Sequence, residues 1–127
     1  MRRRGFTLIE IMVAMVILVI IATTFARFAA SYSRSMRDAT LRLTQATIAT
    51  SRLELVRADP RYTQLTALYG TGAGADSTGT PGYPLMRRRT LVTRSTSASR
   101  DRTTVTVQVT YPNLSDTIAV TAVIASP

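Results

Sequence analysis

No cysteine and no histidine occur among the 127 residues, and these two absences close off much chemistry. Without thiols the chain has neither a disulfide framework nor a thiolate metal site. Without histidine or cysteine, a catalytic site would have to be assembled from serine, arginine or carboxylates, and the seven acids are too scattered in sequence to nominate a pair. An enzyme is not expected, nor is a cofactor. Lysine is absent as well, so all sixteen basic residues are arginine and the formal net charge is +9. Such a balance suits anionic lipid, acidic partners or DNA without choosing among them. Proline and glycine are missing from Phe6 to Ala58, and the first strong helix stop is Asp59-Pro60.

What the chain does have is an apolar run behind a basic cluster. Every residue from Ile11 to Ala22 is apolar, and between Phe6 and Ala30 charge intrudes only at Glu10 and Arg27. About 20 such residues at ~1.5 Å rise cross a ~30 Å hydrocarbon core. Arg2, Arg3 and Arg4 precede the run, and the positive-inside rule keeps them cytoplasmic with the remainder on the far side. An ordinary secretory signal fits poorly, because the nearest small-residue cleavage candidate is Thr24-Phe25-Ala26 and Glu10 interrupts the apolar region. An ionised carboxylate inside an apolar helix is costly unless it finds a partner or protonates. Glu10 is therefore expected to be functional, against the plainer reading of a carboxylate favoured by the helix dipole and snorkelling to the headgroups.

Gly5-Phe6-Thr7-Leu8-Ile9-Glu10, behind a short arginine leader and ahead of the apolar run, resembles the prepilin cleavage and methylation motif of type IV pilins and type II secretion pseudopilins. The resemblance covers roughly the first quarter of the chain, with leader charge, Gly, Phe, Glu and apolar run all in order. It implies that a membrane prepilin peptidase cuts after Gly5, that Phe6 becomes the N-methylated first residue, and that Glu10 pairs with the Phe6 amine of a neighbouring subunit during assembly. Gly5, with no side chain, lets a protease approach the backbone. A buried, paired charge is a plausible registration device and weak evidence for stability.

From Phe28 onward, Tyr32, Met36, Ala39, Leu43, Ala46, Thr50, Leu53 and Val56 recur at three-and-four spacing, the pattern of one helix stripe facing a core. One helix from about Phe6 to about Ala58 is expected, its first half a membrane anchor and its second half the spine of a soluble domain. Residues 59–84 carry Gly70, Gly72, Gly74, Gly79 and Gly82 among Pro, Ser and Thr, which predicts a loop. No Walker lysine follows these glycines and no strand precedes them, so a nucleotide cradle is not expected. Beyond Pro84 the period becomes two. Leu91-Val92 mark a weak strand, Val105, Val107, Val109 and Tyr111 a clear one, and Ile118, Val120, Ala122 and Ile124 a third.

The expected organisation is a cleaved leader over 1–5, a transmembrane and filament-core helix over 6–27, and a soluble domain over 28–127 with helix spine, loop 59–84 and β-meander 85–126. This is an α+β chain, a long helix on a small antiparallel sheet, similar to the pilin fold. Two departures from the major-pilin pattern stand out. Arg27 and its neighbours occupy the region where a kinking proline is common about twenty residues into the mature chain, and the C-terminal disulfide is absent. These features, with the compact tail and Leu53-Glu54-Leu55, look like minor pseudopilin I or the related minor pilin V. Calcium, which the major pseudopilin holds in a loop, needs clustered oxygens, whereas Asp76 stands nearly alone.

The resemblance thus implies a structural subunit in the bacterial inner membrane, N-terminus cytoplasmic and C-terminal domain periplasmic. Its partners are prepilin peptidase and other pilin or pseudopilin subunits, and it serves in protein secretion or pilus biogenesis. Arg87-Arg88-Arg89, with Arg94, Arg100 and Arg102, supports a different reading, a competence-type pilin gripping DNA phosphates, weighed against a charged strand edge that discourages aggregation. A generic single-pass anchored domain is the third reading, and it leaves Glu10 and the placement of Gly5 unexplained.

Overall fold

The structure is a computed structural model that describes residues 6–80, 82–97 and 100–126. Helix α1 runs Leu8–Arg57, and the chain divides into two compact units, Met1–Ala39 and Thr40–Pro127. The uninterrupted helix follows from composition: with no proline or glycine in that span, nothing breaks the i→i−4 ladder. Threonines that would otherwise weaken a helix return their hydroxyls to it, as Thr24 donates to Ile20 O at 2.8 Å and Thr50 to Ala46 O at 2.9 Å.

In the first unit every described residue, from Phe6 to Ala39, is exposed. Leu8, Leu18, Ile21 and Phe25 show 78%, 67%, 63% and 70% of their surface. Helix α1 is long and apolar enough in this part to cross a membrane, and none of its most apolar window is buried within the chain. The core helix of a soluble protein would bury that window.

The second unit is built on a four-stranded antiparallel sheet in the order β1-β2-β3-β4, with β1 Asp76–Thr80, β2 Tyr83–Ser97, β3 Arg100–Thr110 and β4 Ile118–Ala125. Pairing fixes its two faces, because Val105 lies opposite Val92 and Ala122, and Val107 opposite Thr90 and Val120. The inner face carries Met86, Thr90, Thr103, Val105, Val107 and Val109, all buried, while Thr104, Thr106 and Gln108 alternate outward. The helical end of the core is Ala49, Leu53 and Val56, and Leu65 closes it from below. At ~25 cal/mol per Å² of apolar surface, each buried valine, leucine or methionine here contributes roughly 1.5–3 kcal/mol.

The core stripe of α1 differs from the one read from sequence. Tyr32, Met36 and Leu43 are 58%, 54% and 69% exposed, and Ala39 and Thr50 are exposed too. The buried positions are Gln45, Ala49, Leu53 and Val56, with Leu41 and Ile48 packed beside them. Both stripes obey helical spacing and share Leu53 and Val56; they diverge before that because the buried one passes through a polar residue, Gln45. Its amide donates to the Val109 carbonyl at 3.3 Å, which ties the helix to the end of β3.

The 59–84 segment is more ordered than its glycines suggest. After α1 comes a 3₁₀ turn at Tyr62–Gln64, then α2 Leu65–Tyr69, a single turn α3 Gly72–Ala75, and β1. Leu65 is buried in α2 with Leu68 and Tyr69 half-buried beside it, and Gly70 and Gly74 serve close packing. A Cβ on Gly74 would stand 2.0 Å from the Leu68 carbonyl oxygen, so only glycine lets α3 fold back against α2. Gly82, at φ +82°, lies in the turn that pairs Thr80 with Tyr83.

Candidate functional site

Thr7 precedes α1, and its carbonyl receives the Glu10 amide at 3.1 Å and the Ile11 amide at 3.3 Å, which starts the helix. Glu10 therefore sits in the first turn, where unsatisfied amides and the helix dipole favour a negative charge. Phe6, Glu10, Ala14 and Leu18 follow at spacings of four, and with Ile11 and Met15 they line one shallow concavity on this end of the helix. The carboxylate is thus the single charged group in an otherwise apolar wall, on the face that also carries Phe6. That arrangement can neutralise a cation presented within the same apolar surroundings. Arg2, Arg3, Arg4 and Gly5, the leader and the residue before the expected cut, lie outside the described residues.

Farther along this unit, Ile20, Ile21, Thr24, Phe25 and Phe28 line a second shallow apolar surface, and the Phe28 and Tyr32 rings stack at 6.3 Å. Surface of this kind is stable only against lipid or against other apolar helices.

The arginines of β2 are distributed by strand alternation. Arg87 and Arg89 lie on the outer face, opposite Thr110 and Gln108, with which they line one pocket. Arg88 lies opposite Val109, on the inner face, and is half-buried. The outer pair is further divided, since Arg87 makes a bidentate ion pair with Asp76 across the β1–β2 ladder. That pairing holds the Asp76 carboxyl below the usual carboxylate range. Arg94 is engaged as well. Its guanidinium grips Asp101 and lies 5.3 Å over the Tyr62 ring, while Tyr62 donates a hydrogen bond to Asp101 at 3.3 Å. Arg89, Arg100 and Arg102 are exposed. The triplet Arg87-Arg88-Arg89 is therefore three different environments rather than one patch, and a duplex approaching either face meets at most two of its cations.

Asp59 is a junction that motif reading missed. Its side chain is 5% exposed and accepts from the Arg61 amide at 3.0 Å, the Arg61 guanidinium at 3.0 and 2.8 Å, and the Tyr69 hydroxyl at 2.7 Å. The hydrogen bonds from Arg61 come first among the causes that hold this carboxyl far below its ordinary range. The hydrogen bond that Tyr69 donates to Asp59 raises the Tyr69 phenol, because a proton shared with a carboxylate is harder to remove. The signal lay in Asp59-Pro60-Arg61, an Asp whose carboxylate satisfies a backbone amide two residues on.

Residues 1–26 match a family model described as the prokaryotic N-terminal methylation motif. No curated protein and no solved structure matches the chain. The match covers the leader, the expected cleavage point, Glu10 and the apolar run. It supports a type IV pilin-like subunit that is processed by prepilin peptidase and assembles with other such subunits at a membrane.

Proposed function

We propose that this chain is a structural subunit of a type IV filament machine, a minor pseudopilin or minor pilin, with no enzymatic role of its own. Prepilin peptidase removes residues 1–5 at the cytoplasmic face. Phe6 becomes an N-methylated terminus, residues 6–27 stay in the inner membrane until they join a filament core, and the domain over 28–127 stands in the periplasm. The observation that carries this reading is the coincidence of the matched motif with an exposed apolar helix whose first turn holds Glu10 beside Phe6. An anchored domain that served only as a tether would need the apolar run and nothing else. Here a carboxylate stands where it is expensive, four residues from the amine that cleavage would create, and the partner it requires is what a filament supplies.

Mass spectrometry of the protein extracted from membranes tests the processing step. The expected product begins at Phe6 and carries one methyl group on its amine. Replacement of Gly5 by leucine is expected to leave full-length precursor in the membrane, because the backbone is no longer accessible. An intact Met1 terminus in cells that contain the peptidase would reject the assignment.

A further inference from the structure

The second unit holds five acidic side chains, and each is in an ion pair: Glu54 with Arg57, Asp59 with Arg61, Asp76 with Arg87, Asp101 with Arg94 and Asp116 with Arg42. Arg52, Arg88, Arg89, Arg100 and Arg102 are left without a carboxylate among the described residues. Three of these are exposed; Arg52 and Arg88 are half-buried. They line one cleft of about 270 Å³ with Thr47, Ile48, Ser51 and Leu55 of α1 and with Thr80 at the turn end of β1. Two like charges withdrawn from water side by side oppose each other, and the Arg88 guanidinium is pushed down by burial first and by Arg52 second.

Arg52 cannot turn away. One of its terminal nitrogens donates to the Gly74 carbonyl at 2.8 Å and its guanidinium lies 5.0 Å over the Tyr69 ring, while its buried Nε has no hydrogen-bond partner. The cleft thus combines a fixed cation with an unused donor, a second cation without a partner, and the hydroxyls of Ser51 and Thr80. Planar guanidinium groups suit bidentate recognition of a carboxylate. Ile48 and Leu55, the latter 51% exposed, add apolar surface to the cleft from α1. Apolar surface beside the two cations suits a carboxylate carried on an aliphatic stem, which a free phosphate lacks.

We propose that the Arg52–Arg88 cleft is a receptor for an aspartate or glutamate side chain on the surface of another protein. It stands apart from the N-terminal motif and holds whether or not the filament reading does.

Fluorescence anisotropy of a fluorescein-labelled hexaglutamate peptide, titrated with the full chain in a non-ionic detergent, tests it. Saturable binding is expected, weakened about tenfold by Arg88→Gln, the scale of one lost charge-assisted contact, and by a smaller factor by Arg88→Lys, which keeps the charge but loses the planar fork. Arg89→Gln, which removes the same charge from the outer face, is expected to leave the affinity within about twofold, as for a screened surface charge. Leu55→Glu changes an exposed helix position and so preserves folding; it places a carboxylate in the cleft lining and is expected to weaken the peptide as Arg88→Gln does. No saturable binding, equal losses in Arg88→Gln and Arg89→Gln, or unchanged binding in Leu55→Glu would each overturn the proposal. So would displacement by inorganic phosphate at equal concentration, which marks a free-oxyanion site, or tighter Arg88-dependent binding of a single-stranded oligonucleotide, which marks a nucleic-acid site.

Discussion

Leu18 and Leu65 are the same side chain in opposite circumstances: the first is 67% exposed and the second 1%. Leu65 finds its apolar surroundings within the chain, among Val56, Met86 and the β3 valines. Leu18 sits among Ile11, Ala14 and Met15, equally apolar neighbours on the same helix, which cannot cover it. The second unit satisfies its hydrophobic residues by folding; the first can do so only by finding lipid or another helix. Charge follows the same division. Among the described residues of the second unit every acidic side chain has an arginine, whereas the first unit leaves Glu10 in an apolar wall. The first unit is therefore incomplete by construction, and its completion is the function proposed for it.

The largest test of this contrast removes the charge that folding leaves unanswered. In the filament reading, Glu10 neutralises the Phe6 amine of a neighbouring subunit, and Glu10→Leu strands that cation in an apolar bundle at about 3–5 kcal/mol. That is on the order of a few hundredfold or more in assembly. Processing after Gly5 is expected to continue, because leader and glycine are untouched. The measurement is a pair, N-terminal mass and crosslinking to partner subunits. Normal crosslinking of the Glu10→Leu protein would show the carboxylate to be an insertion feature, and the two units would then differ in polarity alone.

A matched substitution sharpens the contrast at a smaller scale. Leu65→Ala deletes buried methyl groups from a filled core and is expected to destabilise the second unit by about 2–4 kcal/mol. Leu18→Ala removes the same atoms from an exposed position and is expected to leave the unfolding of that unit unchanged. Thermal melts of the full chain in detergent, followed by the β-sheet signal, read both. Equal melting shifts would mean that the first unit contributes to the stability of the second.

Much of this was legible in the residues, for physical reasons that differ by region. The helix and the anchor were readable because an apolar run without proline or glycine has few alternatives, and α1 begins at Leu8 and ends at Arg57, close to the expected limits. The alternation of Val105, Val107 and Val109 with threonine and glutamine likewise left one arrangement for β3. Glycine hid the rest. In 59–84 it marked a loop, yet Gly74 is required by a close approach of backbone and Gly79 by the irregularity in the β1–β2 register, both of which are visible only once the partners are placed. Gln45 and Arg88 were obscured by polarity: composition assigns both to solvent, and the fold draws one into the core and the other to half-burial on the inner face. The triplet Arg87-Arg88-Arg89 read as one patch because sequence proximity was weighed above the two-residue period of a strand.

The smallest expected effect concerns pH, and it separates the units by where their carboxylates find partners. Asp59 is held far below its ordinary range by Arg61 and Tyr69; Asp101, by Arg94 first, and Asp76, by Arg87 first, are lowered as well. A group whose pKa is lower folded than unfolded binds fewer protons in the native state. Its stabilisation is complete above the unfolded value, about 3.9 for aspartate, and fades as pH falls toward the folded value. The melting temperature of the second unit is therefore expected to be flat from pH 8 to about 5 and to decline below about 4. Asp59→Asn keeps an acceptor for the Arg61 amide but discards the charge, so it is expected to lower the melt modestly at neutral pH and to flatten part of the acid decline. Tyr69 acts in the opposite direction. Its phenol is raised, so its contribution is complete below about pH 10 and is lost as pH rises further, and Tyr69→Phe is expected to remove that alkaline loss while weakening the Asp59 junction. If Asp59→Asn melts with the full acid decline of the native chain, the junction at the end of α1 carries no charge-dependent stability, and Asp76 and Asp101 on the sheet must account for all of it.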